Sequence, residues 1–226
     1  MRDRRAGRCL ISCAVLLFVA CTTTIEPPAT PSDPVAVYLL DHGRTPSLVL
    51  PVDDAGGEPG MLRYAYGDWR WYALEQKSSG QGVAALLWPT RGALGREAIP
   101  GPPGEAAVRA GVEVPIETLH PVLVGAAEVA ALAARLDALF ESEIDTLVEA
   151  PGSGLSFVHH PEPYTFLHSS NRAVAGWLRE LGCRVRGTAL WSSWRVAPAP
   201  AGAPDPSATM PPGRGDPPPP APQETR

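Results

Sequence analysis

Residues 35–52 read VAVYLLDHGRTPSLVLPV and contain two short apolar runs separated by a turn. The runs, 35–40 and 47–52, are rich in residues that favour strands, and the glycine and proline between them favour a chain reversal. This pattern predicts a β-hairpin. The alternating run MLRYAY at 61–66 predicts a third strand. We therefore expect an antiparallel sheet in the first part of the folded chain.

Helical periodicity takes over further along the chain. Residues 126–140 repeat apolar side chains every three to four positions, which is typical of a helix that packs on one face. Ser169, Ser170 and Asn171 form a helix start, and the apolar stripe that follows them ends at Gly182. Together with the sheet, these helices predict an α+β class in which antiparallel strands pack on helices.

Weaker patterns predict shorter elements between these. Asp68 can cap a short helix over 69–77, and a further helix is expected over 82–88. Residues 155–158 predict a strand, and residues 184–196 predict a closing strand or hairpin. The sequence contains no internal repeat.

The two ends of the chain differ from its middle. Residues 1–20 combine a basic start with an apolar run of twelve residues, the pattern of a secretory signal that is too short to span a bilayer. Residues 21–34 are polar and proline-rich and predict a tether. Residues 197–226 contain eleven prolines and predict a disordered tail. Residues 35–196 remain as one globular domain.

Cys21 directly follows the small residue Ala20, and residues 18–21 read FVAC. This resembles the lipobox of bacterial lipoproteins, with Phe18 in place of the usual leucine. The resemblance implies cleavage before Cys21, lipid attachment to its thiol and, since Thr22 follows, the periplasmic face of the outer membrane. The expected partner is thus the membrane, bound through chains that contribute about 0.8 kcal/mol per buried methylene. An ordinary signal peptide or an uncleaved anchor is the alternative.

Charge and cysteine content argue against several classes of protein. The formal net charge is −5, and it becomes −8 without the first twenty residues, which hold four arginines and one aspartate. Such a surface argues against nucleic-acid binding. Cys183 is the only cysteine after residue 21, so the domain can form no internal disulfide. His159 and His160 have no further ligand nearby, so we expect them in a loop and predict no metal or cofactor.

Four segments occur in an order that indicates a family. They are HGRTPSLVLP (42–51), YAYGDWRWYA (64–73), LWPT (87–90) and YTFLHSSNRAVAGWLRELG (164–182). Over residues 35–196 they resemble a group of uncharacterised bacterial envelope proteins that is similar to circularly permuted NlpC/P60 hydrolases. The resemblance implies a permuted papain-like fold, in which a histidine on an early strand meets a cysteine at the start of a late helix.

This chain lacks both groups that the resemblance calls for. In such a pair the helix N-terminus stabilises a thiolate, and the imidazole takes its proton. The family cysteine corresponds to Ser170 and the family histidine to Thr45. A helix dipole supplies about 0.3–1 kcal/mol at a typical site, which is too little to ionise a hydroxyl at neutral pH. The first hypothesis is therefore a degenerate, non-catalytic domain that binds a ligand.

The candidate catalytic residues are Ser170 as a nucleophile and His42 or His168 as its base. Each also has a structural interpretation, since a serine at this position can cap a helix and a histidine in a turn can bond locally. A serine-type hydrolase or acyltransferase built on them is the second hypothesis. The third is a purely structural interaction module.

The candidate binding residues are Tyr66, Asp68, Trp69 and Asn171. The aromatic density around residues 64–72 can form a wall for a sugar or acyl group, although such aromatics also build cores. Asp68 also fits a helix cap, and Asn171 fits a backbone contact. The ligand expected for the old cleft is derived from the cell wall or from lipid, and the oligomeric state stays open.

Overall fold

A computed structural model describes residues 22–53, 59–76 and 88–198. The strands are β1 Thr23–Glu26, β2 Pro34–Asp41, β3 Pro46–Asp53, β4 Pro59–Asp68, β5 Thr90–Ile99, β6 Thr118–Gly125, β7 Val148–Ala150, β8 Leu155–Tyr164, β9 Arg184–Arg186 and β10 Trp194–Val196. The α-helices are α1 Glu105–Gly111, α2 Ala126–Ser142 and α3 Ser170–Glu180, with a π-helical turn Trp69–Ala73 and a 3-10 turn Ile144–Thr146. This mixture of helices and largely antiparallel sheets confirms the α+β class.

Seven strands form one antiparallel sheet in the order β6-β2-β3-β4-β5-β8-β7. The predicted hairpin is confirmed: Asp41 faces Pro46, and Tyr38 faces Val49 in the ladder. The predicted third strand is β4, which pairs with β3. The hairpin strands are apolar on both faces because protein covers both sides of the sheet.

One face of the sheet packs on α2 and α3, both of which the periodicity predicted. The core between them joins alternate strand residues to the apolar stripes of the two helices. It includes Leu39, Leu48, Leu94, Leu136 and Leu178. The opposite face carries α1 and the π-helical turn, and each covers a smaller apolar cluster. At the C-terminal end of α3, Gly182 adopts a φ of +80°, which confirms it as the terminating residue.

Strand β5 has no counterpart in the sequence-based prediction, although it lies near the centre of the sheet. Its sequence, TRGALGREAI, reads poorly as a strand because of its two glycines. Both glycines lie where the sheet is crowded. A Cβ on Gly92 would lie 2.3 Å from the Glu162 carbonyl oxygen, and a Cβ on Gly95 would lie 2.6 Å from the Phe157 ring. Tertiary packing therefore explains residues that local propensity disfavours.

Other local predictions were partly wrong. The helix expected over 69–77 is only the π-helical turn, because Glu75 adopts a φ of 51° and ends it. The strand expected over 155–158 runs on to Tyr164. His159 and His160 therefore lie on a strand and not in a loop. The helix expected over 82–88 lies outside the described residues except for Trp88.

The segment expected to be a tether contributes a strand to the fold. Strand β1 lies in the centre of a small second sheet, between β10 on one side and β9 on the other. Thr23 and Ile25 are buried and alternate with half-buried neighbours, and Ile25 is fully buried in the main core. The closing strand or hairpin expected over 184–196 is instead two short strands, β9 and β10, which each pair with β1 and not with each other.

One edge of the seven-stranded sheet collects the functional positions, and we call it the upper edge. Strands β2, β4 and β8 end there, and β3, β5 and β6 begin there, as the facing pairs Asp41–Pro46 and Thr90–Tyr164 show. Helix α3 begins at this edge. The small sheet also starts here, since Ser192 donates a hydrogen bond to Asp41.

Residues 1–21 and 199–226 lie outside the described residues. The signal, Cys21 and the tail after residue 198 therefore remain sequence-based predictions. Among the residues described, no helix has both the length and the apolar character needed to cross a membrane.

Candidate functional site

Ser170 lies at the first position of α3 and is 1% exposed. The residue before it, Ser169, has the extended backbone of an N-cap, but its side chain makes no capping hydrogen bond. Within the described residues, neither serine hydroxyl has a hydrogen bond of good geometry. The serine pair therefore occupies the start of the helix, as the capping interpretation expected, but without a side-chain capping hydrogen bond, and both hydroxyls lie buried at the positive end of a helix dipole.

Tyr72 connects the two positions at which the resemblance places a cysteine and a histidine. Its hydroxyl interacts with the side chains of both Thr45 and Ser170, and Tyr164 also approaches Ser170. Burial raises the pKa of Tyr72 far above its usual value, and the hydroxyls of Thr45 and Ser170 offset only part of that effect. Both phenols therefore stay protonated at neutral pH, and Tyr72 can donate a hydrogen bond but cannot act as a base.

His42 belongs to a different network. Its Nδ1 lies 2.8 Å from the Pro115 carbonyl oxygen and its Nε2 lies 3.0 Å from Ser47 Oγ. Because a carbonyl can only accept, Nδ1 carries the proton, and Nε2 accepts the Ser47 hydroxyl. Arg63 donates from Nε to the same Ser47 oxygen at 3.1 Å. His42 is therefore engaged with Ser47 and not with Ser170.

His168 also has other partners. Its Nε2 lies 3.1 Å from a carboxylate oxygen of Glu162, and its ring meets the Tyr66 ring edge-on at 4.8 Å between centroids. Its backbone closes a tight turn with Thr165. Among the described side chains, no imidazole hydrogen-bonds to Ser170 Oγ.

Three of the four candidate binding residues have structural partners. Asp68 caps the π-helical turn by accepting a hydrogen bond from the Trp71 amide at 2.8 Å, and it also accepts from the Thr90 hydroxyl. Tyr66 is buried in the core. The Trp69 ring meets the His159 ring edge-on, with the centroids 4.3 Å apart. Their contacts account for these side chains without a ligand.

Asn171 is the candidate binding residue whose side chain is only partly hydrogen-bonded. Its Nδ2 reaches the carbonyl oxygen of Arg44 at 3.5 Å and so ties the start of α3 to the turn between β2 and β3. Its Oδ1 is buried and has no hydrogen-bond partner among the described residues. Asn171 Oδ1 thus remains an unpaired acceptor beside Ser170, whose hydroxyl is approached by the phenols of Tyr72 and Tyr164. Buried polar atoms are normally paired, so this position can accept a polar ligand group.

The sequence did not single out the most strongly buried charged pair in the structure. Arg63 bonds to Glu97 at 2.7 Å, and their side chains are only 3% and 13% exposed. Arg63 also donates to the Ser153 carbonyl oxygen. An arginine within an otherwise apolar strand was the available signal. This pair lies on the face of the sheet opposite α2 and α3.

Neither the remaining thiol nor the carboxylates indicate further chemistry. Cys183 is buried and free, and burial raises its pKa to about 12, so it is an inert structural thiol. In the described part of the chain, no three His, Cys, Asp or Glu side chains cluster as metal ligands would.

An open groove of about 540 Å³ lies on the lower half of the sheet, away from Ser170, and is lined by residues that include Leu62, Phe140 and Leu147.

Stability should decrease as the pH falls below 6.5. Burial, together with the nearby Arg63, lowers the pKa of His42, so the fold favours the neutral imidazole. That stabilisation is present above pH 6.5 and is lost as the pH falls through the lower folded-state pKa. Chemical unfolding at pH 7.5 and 5.5 should show the loss, and His42→Gln should reduce it. An identical pH dependence in the variant would contradict this assignment.

Comparison of the chain with models of protein families, with curated proteins and with solved structures gave no match of any kind. The permuted papain-like resemblance is therefore a proposal that depends on the motifs and on the geometry described above.

Proposed function

We propose that this chain is a lipid-anchored envelope protein whose domain is a degenerate, permuted papain-like fold that binds a ligand without catalysing a reaction. Lipid on Cys21 would hold it at the periplasmic face of the outer membrane. The observation that carries the proposal is that the start of α3 lies against the turn before β3. Asn171 Nδ2 lies 3.5 Å from the Arg44 carbonyl oxygen, and the Tyr72 side chain lies near both Thr45 and Ser170. Thr45 directly precedes β3, and Ser170 begins the last α-helix in the described chain, which is the arrangement that the resemblance implies.

Chemistry at this position favours binding over catalysis. A serine hydroxyl needs a base to become a nucleophile, and the groups that contact Ser170 are protonated phenols. His42 and His168 contact other side chains. The alternative, a serine-type hydrolase or acyltransferase, requires one of these imidazoles to leave its present partners and reach Ser170.

The unsatisfied atoms indicate the kind of ligand. Asn171 Oδ1 needs a hydrogen-bond donor, and the free N–H groups at the start of α3 carry partial positive charge, so a ligand with an anionic group and a nearby N–H or O–H is favoured. A cell-wall peptide, with its carboxylate and amides, and a glycerol phosphate share these properties. The rings of Tyr72 and Tyr164 lie beside Ser170, so we expect one of them to turn aside when the ligand binds.

Ligand binding should be detected at the start of α3 by NMR. A cell-wall tetrapeptide or glycerol phosphate, titrated separately, should shift the amide resonances of residues 169–172. The compound that binds more tightly shows whether the natural ligand comes from the cell wall or from lipid. Ser170→Ala should weaken the effect, whereas Ser142→Ala, which removes a hydroxyl bonded to the Leu139 carbonyl oxygen within α2, should not. If neither compound moves these resonances, the binding proposal is wrong.

A fluorophosphonate probe should leave the protein unlabelled, because no base activates Ser170. The same experiment tests the enzymatic alternative. Labelling of the wild type that disappears in Ser170→Ala would establish Ser170 as a nucleophile and overturn the non-catalytic reading.

Radioactive palmitate should be incorporated into the wild type and not into Cys21→Ala. The matched control is Cys183→Ala, which removes a buried thiol of the folded domain and should keep full incorporation. Equal labelling of the wild type and Cys21→Ala would dismiss the anchor.

A further inference from the structure

The start of the described chain lies at an edge of the molecule that is rich in exposed apolar side chains. The Thr23 amide donates a hydrogen bond to the Ser193 carbonyl oxygen at 2.7 Å, so Thr22 and the loop before β10 are neighbours. Trp191 lies in that loop and is 62% exposed. Because Ser192 bonds to Asp41, this loop belongs to the upper edge of the sheet.

Two other strongly exposed apolar side chains share this edge. Trp88 precedes Thr90, the first residue of β5, and is 66% exposed. Leu167 follows the end of β8 by three residues and is 67% exposed. Among the described residues these two and Trp191 are the most exposed large apolar side chains. We call the three residues the apolar rim.

The length of chain before β1 decides what can cover the apolar rim. Cys21 is only two residues from Thr23, which is buried and held in the small sheet. Two extended residues span about 7 Å, so lipid chains on Cys21 would enter a bilayer directly beside the fold. No flexible spacer of useful length remains to hold the domain away from the membrane surface.

We propose that the apolar rim is a membrane-docking surface, on which Trp88, Leu167 and Trp191 rest in the interfacial layer of the bilayer. This inference depends on the lipid attachment proposed above. Tryptophan is enriched at the membrane–water interface because its ring is apolar and its N–H is polar. Exposed Arg44 and Arg91 and exposed Glu162 lie near the same edge, so we expect the apolar side chains, rather than net charge, to provide the contact.

This orientation has a consequence for the candidate site. Helix α3 begins at the upper edge, and Asn171 contacts the turn between β2 and β3 there. The membrane would therefore lie on the same side of the domain as Ser170 and Asn171. A ligand at the bilayer surface would therefore be closer to the site than a ligand that approaches from the opposite side of the domain.

Quenching by brominated lipid tests the proposal on the full-length lipoprotein. The protein is purified with its lipid, placed in phosphatidylcholine vesicles with and without brominated phosphatidylcholine, and its tryptophan fluorescence is compared. The wild type should be quenched, and Trp88→Phe/Trp191→Phe should lose most of that quenching. Trp177→Phe, which removes a buried ring on α3, should retain it.

A second variant places a reporter away from the apolar rim. Leu147→Trp adds a ring beside the groove on the lower half of the sheet, and its added fluorescence should escape quenching. Radioactive palmitate in the vesicle fraction verifies the anchor independently. If palmitate is present but the wild type is unquenched, or if Leu147→Trp is the quenched ring, the docking surface is wrong while the anchor stands. In that case the apolar rim faces a partner protein or a second copy. If palmitate is absent, the anchor itself is wrong, and the docking surface with it.

Discussion

Replacing Glu97 by leucine should lower the free energy of unfolding by about 3–5 kcal/mol, because it leaves the buried guanidinium of Arg63 without its counter-ion. Arg63 and Glu97 are joined at 2.7 Å, and the arginine has almost no access to water. Its remaining partners are Ser47, the Ser153 carbonyl oxygen and the neutral imidazole of His42, and none of them can replace the lost charge. Chemical denaturation monitored by circular dichroism measures the loss.

Two comparisons isolate the cause of that loss. Arg63→Met/Glu97→Leu removes both charges and should recover much of the stability, since an apolar pair of similar volume avoids the cost of burying ions. Glu105→Leu breaks an exposed pair with Arg109 of similar length, 2.8 Å, and should cost only about 0.3–0.5 kcal/mol. Equal losses for Glu97→Leu and Glu105→Leu would show that burial of the pair has no energetic weight.

Ile25→Ala should destabilise the domain by about 2–5 kcal/mol, the range for truncating a large aliphatic side chain in a core. Ile25 is fully buried and belongs to the same core as the main sheet and the helices α2 and α3. The substitution leaves a cavity beneath β1 that its neighbours can fill only in part. Thermal or chemical unfolding gives the change directly.

The matched control for this truncation is Ile144→Ala. Ile144 is 41% exposed in the 3-10 turn, so its truncation removes the same atoms with much less buried contact. If the two variants lose equal stability, residues 22–26 behave as the tether that the composition predicted. A large difference would place the boundary of the folded domain at Thr22, directly after the lipid-bearing residue proposed here.

Local patterns were sufficient for the elements whose environment is uniform along their length. The hairpin of β2 and β3, strand β4 and the helices α2 and α3 were all predicted from apolar periodicity and turn residues. In each of them, the side chains that face the core recur at the period of the element itself. The terminating Gly182 followed from the same local reasoning.

Long-range contacts explain what those patterns missed. Strand β5 carries glycines because the Glu162 backbone and the Phe157 ring occupy the space of a side chain. Strand β1 is only four residues long and has a polar residue at three of its four positions, so it forms only because β9 and β10 pair with it on either side. Neither condition is visible in a window of ten residues.

The sequence alone determines one part of the site, the hydroxyl groups of Thr45 and Ser170. A helix dipole stabilises a nearby negative charge by about 0.3–1 kcal/mol, which is too little to ionise either hydroxyl at neutral pH. The choice of partners belongs to the fold. Chain segments far apart in sequence bring Tyr72 to both hydroxyls, direct His42 to Ser47 and Pro115, and leave Asn171 Oδ1 unpaired. The residue type determines which chemistry a side chain can perform. Hydrogen bonds act only over about 3 Å, so the packing of the whole chain determines which groups contact each other.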